Sequence, residues 1–331
     1  MIDWVSARIP LKHAHKICGG KFITVNTNGE VEFEATRLRQ VEGSYSSKIA
    51  LRTLRTGEEG EIYFSGNPTK FLQGHNLYGS TDLVKLMRIA LGKLCAILEI
   101  TPSSSNLRDI QRGDYNLTRV DMAAMYELPT LDDVLAWIRA AAHASRSRHR
   151  SSSILRGDTL YWGKHSRRWA MKAYAKGQEI TVRDHTIPME HPKHSQLIQW
   201  AQNKLRLELT LRGPELKKLS FHSAAAFGNQ DLNQIFESYR AKISLPDNFT
   251  LAPELLRSLP PSLRSTYILW QHGEDLRRTL PKNTYYRHRR QLLANGIDIS
   301  VRQSDKPPII SLMSIGEIST VGLSLLSAEA F

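Results

Sequence analysis

Three stretches of this chain alternate apolar and polar residues with a strict period of two. They are "LTRVDMAAM" (117–125), "WAMKAYAKG" (169–177) and "KLRLELTLR" (204–212). A period of two puts successive side chains on opposite faces of a strand, so each stretch predicts a β-strand with one face in the core. In the first, Val120, Met122 and Ala124 are apolar while Arg119 and Asp121 point the other way. In the second, Trp169, Met171, Ala173 and Ala175 oppose Lys172, Tyr174 and Lys176. In the third, Leu205, Leu207, Leu209 and Leu211 oppose Arg206, Glu208, Thr210 and Arg212. If the three share a sheet, one face needs helices to cover it and the other gathers carboxylates, cations and a tyrosine. An ordinary solvated sheet face carries the same mixture, so pattern alone leaves both readings open.

The rest of the N-terminal half supplies both the extra strands and the covering helices. Asn28-Gly29 sits between two β-rich runs in "GKFITVNTNGEVEFEATRL", the signal of a tight hairpin. "GSYSSKIALRTL" and "GEIYFSG" continue the β pattern. "STDLVKLMRIALGKLCAIL" turns helical, with Ser80 or Thr81 as the expected N-cap and Leu83, Leu86, Ala90, Leu94 and Ile97 as its buried stripe. A second helix starts at Thr130, where "TLDD" forms a capping box with Asp133 ahead of Leu131, Val134, Leu135 and Ile138. Ala144 to Ser153, "ASRSRHRSSS", reads as a basic loop.

From about Glu215 the pattern becomes helical and punctuated by prolines, which places a domain boundary between residues 213 and 230. The expected fold is α+β: an antiparallel sheet backed by helices over residues 1–225, then a helical DNA-binding region over 226–331. Within the latter, 274–296 reads as a helix-turn-helix, with a turn at Pro281-Lys282-Asn283 and a second helix capped at Asn283 or Thr284. That helix carries Tyr285, Tyr286, Arg287, His288, Arg289 and Arg290, and we assign Tyr285, Arg287, Arg289 and Arg290 to DNA contact. A basic surface helix without groove contact has the same composition.

A net charge of +13 calls for a polyanionic partner, nucleic acid or an anionic membrane surface. No apolar run approaches the roughly 20 residues of a bilayer span, so no membrane role is expected and the protein is expected to be soluble and intracellular. Two cysteines, Cys18 and Cys95, lie far apart without CxxC spacing, which argues against a disulfide framework and a cysteine-held zinc. A metal would have to sit on oxygen and imidazole. Asp121 and Glu208 are hard oxygen donors of the kind that take Mg²⁺ or Mn²⁺. A tyrosine hydroxyl attacks phosphorus only if something favours its phenolate, and Lys172 and Lys176 beside Tyr174 are the expected cations. Arg119, Arg206 and Arg212 complete a basic lining suited to DNA phosphates.

One segment is explained by no secondary-structure rule: "GNPTKFLQGHNLYGSTDL", Gly66 to Leu83. It closely resembles the LQGHN block of filamentous-phage replication initiator proteins, the rolling-circle nicking enzymes of inoviruses. "MID", "GSYSSKIALR", "TRVDMA", "AYAK" and "RLELTLR" follow in that family's order, so the resemblance covers most of residues 1–225. It implies a site- and strand-specific endonuclease in the host bacterial cytoplasm that nicks the double-stranded origin and later rejoins the displaced single strand. Tyr174 would be the nucleophile, leaving a 5′-phosphotyrosyl end and a 3′-hydroxyl for a host polymerase, with a host helicase as partner. Asp121 and Glu208 would hold the divalent cation. Tyr126 and Tyr161 are the alternative nucleophiles. The third ligand is open between His75 of the QGHN block and the pair His13 and His15, and we assign His75. The rival reading is a non-catalytic origin-binding regulator of the same fold.

Overall fold

The computed structural model describes residues 1–144, 146–147, 154–156, 158–182, 185–244, 257–295 and 297–300. The chain begins with β1 (Ile2–Pro10), β2 (Lys21–Val25), β3 (Val31–Thr36), β4 (Arg39–Glu42), β5 (Lys48–Arg55) and β6 (Glu61–Gly66). Helices α1 (Pro68–Gln73), α2 (Leu83–Ile97) and α3 (Ser104–Arg112) lead to the long strand β7 (Asn116–Glu127). Then come α4 (Leu131–Ala144), β8 (Arg146–Ser147), β9 (Ile154–Arg156), β10 (Thr159–Trp162), β11 (Trp169–Ala175), α5 (Lys176–Glu179), α6 (His194–Ala201) and β12 (Lys204–Arg212). The last elements are α7 (Gly213–Lys218), α8 (Ala224–Gly228), α9 (Leu232–Arg240), β13 (Ile243–Ser244), α10 (Pro261–Gln271), α11 (Leu276–Thr279) and α12 (Lys282–Leu293).

Among the described residues nine strands form one sheet in the order β4-β5-β6-β1-β7-β12-β11-β10-β9. Every neighbouring pair is antiparallel. The three alternating strands are therefore adjacent, β7-β12-β11, at the centre. Their apolar residues are buried in one continuous core with side chains of α2, α4, α8 and α9. At roughly 25 cal/mol per Å² of apolar area, such a core carries most of the favourable folding energy.

The helices are built as the sequence predicts, with local differences. Asp82, not Ser80 or Thr81, caps α2: its carboxylate accepts from the Lys85 amide while the Ser80 hydroxyl accepts from the Asp82 amide. An aspartate there also places negative charge at the positive end of the helix dipole. Ile97 leaves the expected stripe and is exposed, because Met87, Leu91 and Cys95 widen the buried face the other way. Half of the Thr130 capping box on α4 forms: the Thr130 hydroxyl accepts from the Asp133 amide and donates to the Asp133 carboxylate. Val134, Trp137, Ile138 and Ala141 are buried, and Leu131 and Leu135 of the expected stripe only partly so. The Asn28-Gly29 turn closes a hairpin, but β2 and β3 make their own two-stranded ribbon outside the large sheet. Of the predicted basic loop, Arg146–Ser147 pairs with Ile243–Ser244, and 145 and 148–153 lie outside the described residues.

Beyond α9, a second apolar cluster is formed by Leu259, Leu263, Tyr267, Trp270, Leu276, Tyr285, Leu292, Ile297 and Ile299. It holds α10, α11 and α12 together. No helix of the described residues is long and apolar enough to cross a membrane.

Candidate active site

Strand register fixes which polar side chains meet. Lys172 lies opposite Glu208 and Tyr174 opposite Arg206 across β11 and β12. Thr210 lies opposite Asp121 and Arg212 opposite Arg119 across β12 and β7. Because side chains directly across an antiparallel pair share a face, all of these residues project to the side away from the main core.

At the centre of that face the Tyr174 hydroxyl donates to Glu208 Oε1. The same oxygen accepts from Arg206 Nε at 2.8 Å, and Glu208 Oε2 pairs with Lys172 Nζ at 2.7 Å. Burial opposes ionisation of Glu208, but Arg206 and Lys172 outweigh it and hold the carboxyl well below the usual carboxylate range. Tyr174 moves the opposite way: burial first, then the Glu208 charge, push its phenol well above 10. This corrects the expectation that the two lysines favour the phenolate. Their ammonium groups lie 5.1 and 5.9 Å from the centre of the Tyr174 ring, and their charge is spent on Glu208, Glu179 and Asn76. The arrangement instead gives the phenol a hydrogen-bond acceptor that is ionised near neutral pH.

Arg206 and Lys176 also differ from expectation. Their side chains are 0% and 1% exposed, so neither presents its charge to an incoming phosphate. Arg206 spends its fork inside the protein, on Glu208, on Asp3 Oδ1 at 2.5 Å and on the Asn76 carbonyl at 2.6 Å. Lys176 donates to Asn76 Oδ1 at 2.9 Å and Glu179 Oε2 at 2.6 Å. Both hold neighbouring groups in place from inside the protein. Lys172, with about a third of its side chain exposed, lines the open cleft beside Tyr174 together with Tyr161, Gln178, Glu179 and His185.

Asp3 was missed by the sequence reading. A register shift between Ile2 and Trp4 breaks the alternation of β1, and the Asp3 carboxylate reaches Arg206 on the polar face. The available signal was an acidic residue at a position where the alternation of Val5, Ala7 and Ile9 calls for an apolar one. Asp3 Oδ1 also accepts from Asn67 and Asn76, both at 2.8 Å. The QGHN block thus has a structural account. Asn76 is its contact with the site, meeting Asp3, Lys176 and Arg206 at once. Gly74 allows the bend: its φ is +84°, and a Cβ there would come within 2.4 Å of the Tyr45 ring.

His75 is buried in the same loop, its Nδ1 near the Leu77 amide (3.4 Å) and its ring against Tyr78 and His191. Burial, then the charges of His191, Lys176 and Lys193, push it down to about 4. Its folded pKa lies below the ordinary 6.5, so the native state binds fewer protons. The contribution is complete above about pH 6.5 and is lost as pH falls towards 4. Urea unfolding at a series of pH values should therefore show a slope across that window that His75→Gln flattens.

The three expected metal ligands do not converge: among the described residues no group of three or more His, Cys, Asp or Glu side chains is placed to hold an ion. Asp121 gives both oxygens to Arg119, at 2.8 and 2.5 Å, and His75 faces its own loop. The donor types suit Mg²⁺, but as arranged each carboxylate is matched by a protein cation. His13 is bound to the Leu11 carbonyl and the Thr53 hydroxyl, both at 2.7 Å, while His15 is exposed, so they form no ligand pair. Tyr126 is buried in the main core, whereas Tyr161, opposite Lys172, shares the polar face with Tyr174.

Residues 1–230 match the N-terminal family model of a phage replication-associated protein, and residues 251–313 match the C-terminal family model of the same protein. The chain belongs to the phage replication-associated protein family. The replication-associated protein of Enterobacteria phage I2-2 is 37% identical over 324 residues, covering 96% of this chain and 93% of its own length. The N-terminal match to the replication-associated family takes in every strand of the large sheet and thus the whole site around Tyr174.

The C-terminal match to the replication-associated family contains the predicted helix-turn-helix. Here α12 starts at Lys282 with Pro281 in the cap position, ahead of the expected cap. Two residues assigned to DNA contact turn inward. Tyr285 is buried in the C-terminal core, and Arg289 forms a two-pronged pair with Asp298 at 2.8 and 2.9 Å. Arg287 and Arg290 are exposed, as is the neighbouring Tyr286. The helical period explains the division: residues 285, 288 and 292 form the inner stripe, leaving 286, 287 and 290 outside.

Proposed function

We propose that this chain initiates rolling-circle replication of a phage genome by nicking the double-stranded origin through Tyr174, and that the same site later rejoins the displaced single strand. The observation that supports this most is the hydrogen bond from the Tyr174 hydroxyl to a carboxylate kept ionised by Arg206 and Lys172. In the step we propose, the phenolic oxygen attacks phosphorus and its proton passes to Glu208. The P–O3′ bond breaks, and the proton held by Glu208 is available to the departing 3′ oxygen. A 5′-phosphotyrosyl strand and a 3′-hydroxyl result. Because the phosphodiester energy is conserved in the tyrosyl link, reversal of the step closes a strand without ATP. Lys172, at the mouth of the cleft, offers positive charge to the phosphate as it becomes pentacoordinate.

A divalent ion, Mg²⁺ or Mn²⁺, belongs to the proposal through donor chemistry alone: Asp121 and Glu208 are hard oxygens on the tyrosine's face. Asp121→Asn should then raise the metal concentration needed for half-maximal nicking of supercoiled origin DNA. An unchanged metal titration removes Asp121 as a ligand.

Origin docking is assigned to α12, with Arg287 and Arg290 as the contacts. Arg287→Ala with Arg290→Ala should weaken duplex binding and lower the slope of log K against log salt by about 0.9 per lost phosphate contact. Cleavage of an already single-stranded oligonucleotide should change much less. Equal loss on both substrates with unaltered duplex affinity would move this helix out of the docking role. The proposed setting is the host bacterial cytoplasm, with a host helicase and polymerase downstream of the nick. The test of the whole reading is mass spectrometry of the protein after reaction with an origin oligonucleotide that traps the covalent product. A DNA-linked peptide containing Tyr174 is expected. A non-catalytic origin-binding regulator would give no adduct while still binding the origin.

A further inference from the structure

The polar face does not end at Tyr174. Crossing the sheet from β12 to β5, the residues on that face include Arg212, Arg119, Trp4, Arg8, Tyr63 and Arg52; register sets Arg212 opposite Arg119, Trp4 opposite Asp121, Arg8 opposite Tyr63, and Tyr63 opposite Arg52. Four strand spacings of about 4.8 Å make this stretch roughly 19 Å wide.

Two features separate it from an ordinary solvated face. The first is uncompensated charge. Arg119 and Arg212 stand directly opposite each other, an unfavourable like-charge pairing. The one carboxylate between them, Asp121, is taken by Arg119 through both oxygens. Arg212 Nη1 is left buried with no acceptor, and at the far end Arg52 Nε is in the same condition. Neither guanidinium is neutralised through that nitrogen, and each side chain is partly exposed, so its charge is open to an anion at the surface. The second feature is interleaving: the Arg119 guanidinium lies 5.5 Å from the Trp4 ring centre and that of Arg52 lies 6.0 Å from Tyr63. Alternating cations and aromatic planes match a strand whose phosphates and unstacked bases are both accessible. A duplex keeps its bases stacked and gives the rings nothing to contact.

We propose that this face, from Arg212 to Arg52, is a track for single-stranded DNA that leads to Tyr174. Arg212 and Arg52 take backbone phosphates, and Trp4 and Tyr63 take bases. The proposal deepens the nicking reading by placing the melted strand, and it rests on that reading only for the direction of the track.

The test is fluorescence anisotropy of the full chain with labelled oligothymidylate, a probe that contains no origin and so reports the track independently of nicking. Arg52→Gln and Arg212→Gln should each lower the slope of log K against log salt by about 0.7, the value for one phosphate contact on a single strand. Trp4→Ala should weaken binding roughly 5- to 100-fold, with Trp4→Phe keeping most of the affinity as a guard against misfolding. Arg108→Gln, an exposed arginine on α3, should leave both readouts at wild-type values. Wild-type affinity and slope in the Arg52 and Arg212 variants overturn the track. So does an equal slope change in the Arg108 variant, which would mean that only overall charge is sensed. Failure of the tyrosine reading has a different signature: no adduct on origin DNA, with oligothymidylate binding still sensitive to Arg52, Arg212 and Trp4.

Discussion

Replacing Tyr174 with phenylalanine is expected to reduce the covalent DNA adduct and the nicking of supercoiled origin DNA to background. The change deletes one oxygen, the atom proposed to attack phosphorus. The site around it should persist, because Glu208 keeps Arg206 and Lys172 after the hydroxyl is gone. Origin affinity should therefore stay close to wild type, and the fold should survive. A single lost hydrogen bond to a carboxylate is worth about 1.5–3 kcal/mol at most, against a complete loss of chemistry. An adduct that survives in the Tyr174→Phe protein would transfer the nucleophile role to Tyr161, which shares the polar face and lines the same cleft. Tyr126 is no longer an alternative, since its ring is in the apolar core.

Arg206→Met should be the most destabilising single change at the site, by about 3–5 kcal/mol in urea unfolding near neutral pH. Removing one member of a buried ion network leaves the others charged in a medium that solvates them poorly. Here the members are Asp3 and Glu208, both buried, together with the Asn76 carbonyl. Arg206→Lys should recover little, because one ammonium cannot span three acceptors that a planar fork reaches together. The pH dependence has a definite sign. In the native protein Glu208 is held far below the ordinary carboxylate range, so its contribution is present above the unfolded pKa of about 4.3 and lost only as pH falls well below it. In the methionine variant Glu208 keeps only Lys172 as a cation and is held down less, so the deficit should shrink as pH falls below about 4. Glu208→Gln placed in the Arg206→Met background should restore part of the loss. If the double variant is no more stable than Arg206→Met alone, the pairing energy has been misassigned.

Periodicity made the centre of the molecule legible. Three strands with strict alternation defined their own faces, and because side chains across antiparallel neighbours share a face, Tyr174, Arg206, Glu208 and Asp121 had to come together once the strands were adjacent. Periodicity says nothing where it is interrupted. Asp3 reaches the site only through an irregularity in β1, and Asn76 reaches it from a loop whose path depends on Gly74 and a close approach to Tyr45. Partner choice was equally hidden. Lys172 and Lys176 flank Tyr174 in the chain, yet the carboxylates Glu208 and Glu179 that claim their charge come from elsewhere in the sheet and the following helix. In α12 the basic composition was plain, but only the position of the apolar cluster decides that Tyr285 faces inward and Tyr286 outward.

The Arg206–Asp3 ion pair joins residues 203 positions apart, and Lys176–Asn76 another 100 apart. Contacts of such separation are late events for a chain leaving the ribosome, because the loop they close must first be made in full and its closure entropy met. No nascent chain short of β12 holds Arg206 or Glu208, so Tyr174 is synthesised before the carboxylate that accepts its hydrogen bond. A nascent chain that has not reached β12 thus lacks the carboxylate on which the proposed chemistry depends, whatever its basic segments touch. On the proposed reading the site is completed in one step, when the last central strand docks between β7 and β11.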